Sequence, residues 1–185
     1  MKKQLIAKLL VLAMAVAMVP VTILAASADN NKGYSENYGY YSVGVDTSVV
    51  TQPVADDATT VAFKAKAVDG VVTYVINDSV IESLAKLVKD GVIEVELQCE
   101  GDGTTFVFTC SAKALAKLAG DTKADLSFKT AIGTVTIPNS VLAEEIGTAG
   151  TVRIVITKTD SGIGVQISVA GNTLSSIPGL KTEAK

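Results

Sequence analysis

Residues 60–78 read TVAFKAKAVDGVVTYVIND and alternate apolar with polar side chains on both sides of an Asp-Gly pair. Asp69 and Gly70 predict a type I′ turn, because both central positions of that turn need a positive φ angle. Pairing outward from the turn places Lys64 and Lys66 together on one face, opposite the apolar side chains. This stretch therefore predicts a β-hairpin with one apolar face.

Three later hairpins are predicted by the same reasoning. Residues 92–110 alternate around Asp102-Gly103, with Glu94, Glu96 and Gln98 on the polar face. Strands Ala124–Thr130 and Thr134–Ile137 flank a turn at Ile132-Gly133, and residues 151–169 turn at Asp160 to Gly162. The predicted apolar face of the second hairpin consists of Ile93, Val95, Leu97, Cys99, Phe106, Phe108 and Cys110.

Short amphipathic helices are predicted between the hairpins. Ser79 and Glu82 form a capping-box pattern, and Gly91 is expected to end this first helix. Its apolar stripe would consist of Val80, Leu84, Leu87 and Val88. The second helix is expected from Ser111 to Ala119, and the third from Asn139 or Ser140 to Ile146.

A strand-to-helix phrase occurs three times, as VINDSVIESLA (75–85), FTCSAKALAKLA (108–119) and TIPNSVLAEEI (136–146). Ser79, Ser111 and Ser140 are in register across these phrases. The sequence thus predicts an α+β fold, a largely antiparallel sheet of hairpins with three short serine-capped helices packed on one face.

The two cysteines lie in the second predicted hairpin. With Asp102-Gly103 as the turn, Cys99 and Cys110 stand four residues apart along one face, about 13 Å at ~3.3 Å per residue. This separation exceeds what a disulfide spans, so both are expected to be reduced and buried. A turn near Thr104-Thr105 would instead bring them together.

The N-terminal residues 1–28 are predicted to be a signal peptide. Lys2, Lys3 and Lys8 precede an apolar run from Leu9 to Leu24, and Ala26-Ser27-Ala28 has the small-residue pattern of a cleavage site. The alternative is a retained membrane anchor, since the run approaches the length that spans a bilayer.

The other predicted boundaries follow from composition and pattern. Residues 29–59 are rich in Asn, Gly, Ser, Thr and Asp, which indicates a flexible tether. The alternative there is that Tyr34, Tyr38, Tyr40 and Tyr41 stack on sugars or peptides. Residues 60–171 are expected to form one domain, with a frayed tail at 172–185.

The charge of the chain disfavours two classes of partner. Removing residues 1–28 takes away three lysines and lowers the formal net charge from −3 to −6. An acidic chain without a basic cluster is a poor candidate for binding nucleic acid or anionic membrane surfaces. Membrane contact is expected only through an uncleaved signal segment.

No catalytic, cofactor-binding or metal-binding residue is predicted. The chain contains no histidine, which removes the usual general base and the commonest zinc ligand. Each of the three serines is favoured as a helix cap over a nucleophile, and Glu94 with Glu96 as a solvated face over a glycosidase pair. Glu100 and Asp102 begin like a calcium loop but lack its later ligands.

Residues from about Val61 to Lys158 resemble a module of bacterial cell-surface proteins that contain S-layer homology repeats. The resemblance is carried by KAVDGVVTYVINDSVIESLAKL (66–87), FVFTCSAKALAKLA (106–119), ADLSFKTAIGTVTIPNSVLAEEI (124–146) and TVRIVIT (151–157). It implies an extracellular, non-catalytic structural or adhesive module whose partner is a cell-wall polymer or another surface protein. A carbohydrate-binding module is the alternative, although it would need a row of exposed aromatic rings.

Overall fold

The computed structural model of the protein describes residues 47–55, 58 and 60–185. The predicted signal peptide and the four tyrosines of the predicted tether lie outside these residues. Within the described part of the chain, no helix combines the length and apolar character needed to cross a membrane.

Strands dominate the described residues. They are β1 (Thr47–Val50), β2 (Val61–Lys66), β3 (Val71–Ile76), β4 (Val88–Lys89), β5 (Val92–Glu100), β6 (Thr105–Ser111), β7 (Asp125–Thr130), β8 (Gly133–Ile137), β9 (Thr151–Thr159), β10 (Gly162–Val169), β11 (Asn172–Thr173) and β12 (Lys181–Ala184). The helical segments are α1 (Asp78–Ser83), a 3₁₀ turn (Leu84–Leu87), α2 (Ala112–Thr122) and a π-helical turn (Val141–Glu145).

The strands form two open, mixed sheets. Sheet I has the order β1-β3-β6-β9-β10-β11, and sheet II has the order β12-β8-β7-β5-β2, with β4 pairing with β5. The pairs β1–β3, β3–β6, β2–β5 and β5–β7 are parallel. The predicted combination of strands and helices is therefore present, but the single, largely antiparallel sheet is replaced by two sheets with several parallel pairs.

The inner faces of the two sheets share one hydrophobic core. Phe108 of sheet I and Phe128 of sheet II are in contact, with ring centroids 4.9 Å apart and planes tilted by 58°. The hydroxyl of Tyr74, on sheet I, donates a hydrogen bond to the main-chain oxygen of Gln98, on sheet II. In β3, β5 and β8, alternate residues are buried in this core, as expected for strands buried on one face.

The helical segments lie together at one end of the sheets. The parallel strands β3 and β6 lead directly into α1 and α2, which contact each other, and α2 also contacts the π-helical turn. Asn139 links these elements. Its side-chain amide donates to the oxygens of Ala119 and Ala124, and its main-chain N–H donates to Asp125. These hydrogen bonds connect the segment after β8 to α2 and to the start of β7.

Two of the predicted hairpins are wrong. Asp69 and Gly70 have the predicted positive φ angles, 50° and 77°. However, the two strands that follow from this turn separate: β2 joins sheet II and β3 joins sheet I. β5 and β6 are likewise divided between the sheets. β2 pairs with β5 in sheet II, and β3 pairs with β6 in sheet I. This pairing lets both sheets bury their inner faces.

The other two hairpins are confirmed. β7 and β8 pair antiparallel with Thr130 opposite Gly133, and β9 and β10 pair antiparallel with Thr159 opposite Gly162. In both cases the two strands remain in one sheet. The turn residues are Ala131-Ile132 and Asp160-Ser161, because Gly133 and Gly162 already belong to the second strands.

The first predicted helix is shorter than expected. α1 passes into a 3₁₀ turn that ends at Leu87, and the chain then forms β4. Asp90 and Gly91, with φ angles of 52° and 77°, form the turn of a small β4–β5 hairpin instead of ending a helix. Val88 therefore lies outside the predicted buried stripe and is 39% exposed.

Among the three predicted serine caps, only Ser111 makes a capping hydrogen bond. It occupies the N-cap of α2, and its side-chain oxygen accepts from the N–H of Ala114 at 3.3 Å. Ser79 is the second residue of α1, whose N-cap is Asn77, and Ser140 makes no capping hydrogen bond.

The structure also differs from the predicted tether and tail. β1 pairs with β3, and Val54 is buried, with its N–H donating to Ser83 Oγ at 2.7 Å and its oxygen accepting from Lys86 Nζ at 2.9 Å. At the other end, β12 pairs with β8. Both segments are too short to show an apolar period, and each depends on a partner strand that is distant in sequence.

Both cysteines are free in the structure. Cys110 is fully buried on β6, and Cys99 is half-buried near the end of β5. Burial raises the pKa of the Cys110 thiol, and the nearby Asp78 carboxylate raises it further. Cys99 and Cys110 are apart because their strands, β5 and β6, belong to different sheets. The predicted spacing along one hairpin face is not the reason.

Candidate functional site

A polar groove of about 520 Å³ lies on the outer face of sheet II. Two adjacent rungs of the sheet form its floor. One rung crosses from Glu94 through Ser127 and Thr136 to Lys181. The next rung crosses from Lys129 through Thr134 to Glu183, and Glu96, opposite Lys129 on β5, does not line the groove.

Two hydrogen bonds order the centre of the groove. Lys129 Nζ donates to Glu94 Oε2 at 2.7 Å, diagonally between the two rungs, and both side chains remain about half exposed. Thr136 Oγ1 donates to Ser127 Oγ at 3.1 Å. Ser127 is only 3% exposed although it points to the outer face, because Glu94 and Thr136 flank it in the rung.

The small β4–β5 hairpin borders one side of the groove and β12 borders the other. The hairpin contributes Lys89, Asp90 and Val92, Leu87 lies just before it, and β12 contributes Lys181 and Glu183. From β5 to β12 the floor crosses four strands, about 14 Å at the usual strand spacing. Three lysines and three acidic residues line the groove, so its formal charges balance.

This surface is suited to binding a hydroxylated, charged ligand. Its hydroxyl groups both donate and accept hydrogen bonds, and its charged groups lie at the edges of the sheet as well as at its centre. No aromatic side chain is among the residues that line it. Recognition here would rely on hydrogen bonds and charge, and not on stacking against rings.

Most of the candidate site residues that the sequence offered lie far apart in the structure. Glu94 and Glu96 share the outer face of sheet II, as predicted, and Glu94 is paired with Lys129. Ser79, Ser111 and Ser140 belong to the helical end of the molecule and do not line the groove. Glu100 and Asp102 are exposed at the opposite end, at and beyond the end of β5.

No group of three or more His, Cys, Asp or Glu side chains in the described ranges is arranged to hold a metal ion.

Sequence reasoning missed Ser127, Lys129, Thr136 and Lys181 as members of the groove. Alternation within β7 and β8 would have assigned the first three to an outer face. Only the register of the folded sheet places them beside Glu94.

Comparison of the chain with protein-family models, with curated proteins and with solved structures found no match in any of the three.

Proposed function

We propose that the protein is an exported, non-catalytic adhesive module of the bacterial cell surface. Export is supported by the basic start, apolar run and small-residue motif of residues 1–28. The surface role is supported by the resemblance of residues 61–158 to a module of S-layer-associated proteins. The observation that carries the adhesive role is the balanced polar groove on sheet II.

The partner that best suits this groove is a hydroxyl-rich cell-wall polymer that carries both amino and acidic groups. Such a polymer can hydrogen-bond to Thr134 and Thr136 and place its charges against the lysines and acids. Another surface protein is the second candidate partner, since mixed charges also suit a protein surface. A neutral glycan is less favoured because no aromatic ring lines the groove.

Binding without turnover is supported by the state of the carboxylates. Glu94 is held by Lys129 at 2.7 Å, and the chain contains no histidine that could act as a general base. A glycosidase needs two carboxyl groups in contrasting environments, whereas Glu94 and Glu96 are both exposed on the same strand face.

We also propose that the repeated strand-to-helix phrase reflects an internal duplication. Units β2-β3-α1 and β5-β6-α2 have the same order of elements. β2 lies parallel to β5 in sheet II, and β3 lies parallel to β6 in sheet I. Two copies of one unit placed side by side would produce this arrangement.

The adhesive proposal predicts that a charge reversal in the groove reduces retention on isolated cell walls. Lys129→Glu places a third carboxylate beside Glu94 and Glu96, and we expect retention to weaken by about tenfold or more. Lys158→Glu is the matched control, because it makes the same charge change at an exposed position on sheet I. Retention is measured by co-sedimentation of the purified protein with the walls.

Three results of the same assay would contradict the proposed function. Absence of wild-type retention would reject the wall polymer as the partner, and equal losses for the two variants would reject the groove as the binding face. Release of soluble wall fragments that depends on Glu94 would reject the non-catalytic role. We expect retention to fall as salt rises, because the charged groups of the groove are exposed.

A further inference from the structure

We propose that β12 pairs antiparallel with β12 of a second copy of this chain, so that sheet II continues across a two-fold axis into its partner. This interface is a different contact from ligand binding, although Lys181 and Glu183 of β12 also line the groove. It would follow the rule that a two-fold dimer uses the same patch on both subunits.

The main-chain groups of β12 are arranged for such pairing. β12 is the terminal strand of sheet II, and all of its residues are exposed. The N–H of Lys185 donates to the oxygen of Ile132, next to β8. Because alternate residues of an antiparallel strand direct their main-chain groups to opposite sides, Thr182 and Ala184 direct theirs away from β8. An exposed edge of this kind is a template for another strand.

The charges of β12 are self-complementary in one register. With Thr182 on the two-fold axis, Lys181 lies opposite Glu183 of the partner subunit, and the same pair forms a second time by symmetry. These positions do not hydrogen-bond through the main chain, so their side chains approach closely. Neither Lys181 nor Glu183 makes an ion pair within the described residues of its own chain.

The neighbouring register is disfavoured by the same charges. An axis at Glu183 would oppose two glutamates, and an axis at Lys181 would oppose two lysines. Like charges directly opposite each other destabilise a strand pair. The sequence of β12 thus selects the register centred on Thr182, in which Thr182 pairs through main-chain hydrogen bonds with Thr182 of the partner subunit. Because the paired segment is short, the association should be weak and concentration-dependent.

Charge reversal at the edge tests this register. In sedimentation equilibrium of the purified full chain up to millimolar concentration, we expect a reversible monomer–dimer equilibrium for the wild type. Lys181→Glu and Glu183→Lys each create two repulsive pairs and should weaken dimerisation by about tenfold or more. The double variant K181E/E183K restores opposite charges and should regain the wild-type constant. An equimolar mixture of the two single variants should form a heterodimer.

Thr182→Pro provides a test that leaves the charges unchanged. Proline removes the outward N–H of Thr182 but no hydrogen bond to β8, so dimerisation should be lost while circular dichroism remains that of the wild type. Lys158→Glu controls for a change in net charge and should dimerise normally. A wild type that stays monomeric, single variants that dimerise normally, or a double variant that fails to recover would each overturn the proposal.

Discussion

Leu84 is fully buried in the core shared by the two sheets, whereas Val88, four residues later, is 39% exposed. We expect Leu84→Ala to lower the free energy of unfolding by about 2–5 kcal/mol, because it removes transfer energy and leaves a cavity. Val88→Ala should change it by about 0.5 kcal/mol or less. Urea unfolding of both variants checks the expectation, and similar midpoint shifts would contradict the burial of Leu84.

The burial of individual strand residues could be predicted because alternation is a local property. Phe63 and Tyr74 are buried, and Lys64 and Lys66 are exposed, as the sequence indicates. This result does not depend on which strand is the neighbour, since any sheet that buries one face imposes the same period of two. Val88 was misplaced because the helical period was extended beyond the point where the chain becomes a strand.

Helix α2 depends on its serine cap more than α1 or the π-helical turn does. Ser111→Ala should destabilise the protein by about 1 kcal/mol, because the N–H of Ala114 loses its acceptor. Ser79→Ala is the matched control, since Ser79 is exposed within α1 and should cost about 0.5 kcal/mol or less. Thermal unfolding measures both, and an equal loss would mean that Ser79 also caps its helix.

At the scale of elements, turn chemistry was predictable and strand partnership was not. Asp69 and Gly70 have the backbone angles of the expected turn, yet the strands on either side enter different sheets. The oxygen of Gly70 accepts hydrogen bonds from the N–H groups of Thr104 and Thr105, so the two crossings between sheets are joined at one end. These contacts connect residues more than thirty positions apart, and no local pattern in the sequence encodes them.

The stability of the whole molecule should fall at alkaline pH through Tyr74, which links the two sheets. Burial raises the pKa of Tyr74 above its usual value of about 10, which applies to the unfolded chain. Below that pH the contribution of Tyr74 is fully present. As the pH rises further, the unfolded state releases the proton that the folded state retains, and stability decreases. A phenolate also cannot donate to Gln98.

Tyr74→Phe tests this dependence. The variant should be less stable at pH 8 by about 1 kcal/mol, because the main-chain oxygen of Gln98 loses this donor. Its urea midpoint should then decline less steeply than that of the wild type between pH 8 and pH 11. Cys110, whose pKa is also raised by burial, contributes to both proteins and cancels in the comparison. Parallel declines would show that Tyr74 does not control the alkaline loss.

The groove shows why a binding site can be missed even when the exposure of its individual residues is predictable. Its first rung takes one side chain from each of four strands, and β12 is the last of them. The polar face of β5 was predicted, including Glu94 and Glu96. The remaining members depend on parallel pairing of β5 with β7 and on the docking of β12, which are properties of the assembled sheets.

The parallel pairing of β1 with β3 has a mechanical consequence. When tension pulls the chain before Thr47 back along the strand axis, β1 is loaded in shear, so its hydrogen bonds with β3 resist together and do not break one after another. After β1 in the chain, the main chain of Val54 is hydrogen-bonded to the side chains of Ser83 and Lys86. Resistance to force depends on the rate of unfolding, and a strand loaded in this way should detach slowly. A pull from the N-terminal side would therefore have to break all of the β1–β3 hydrogen bonds at once.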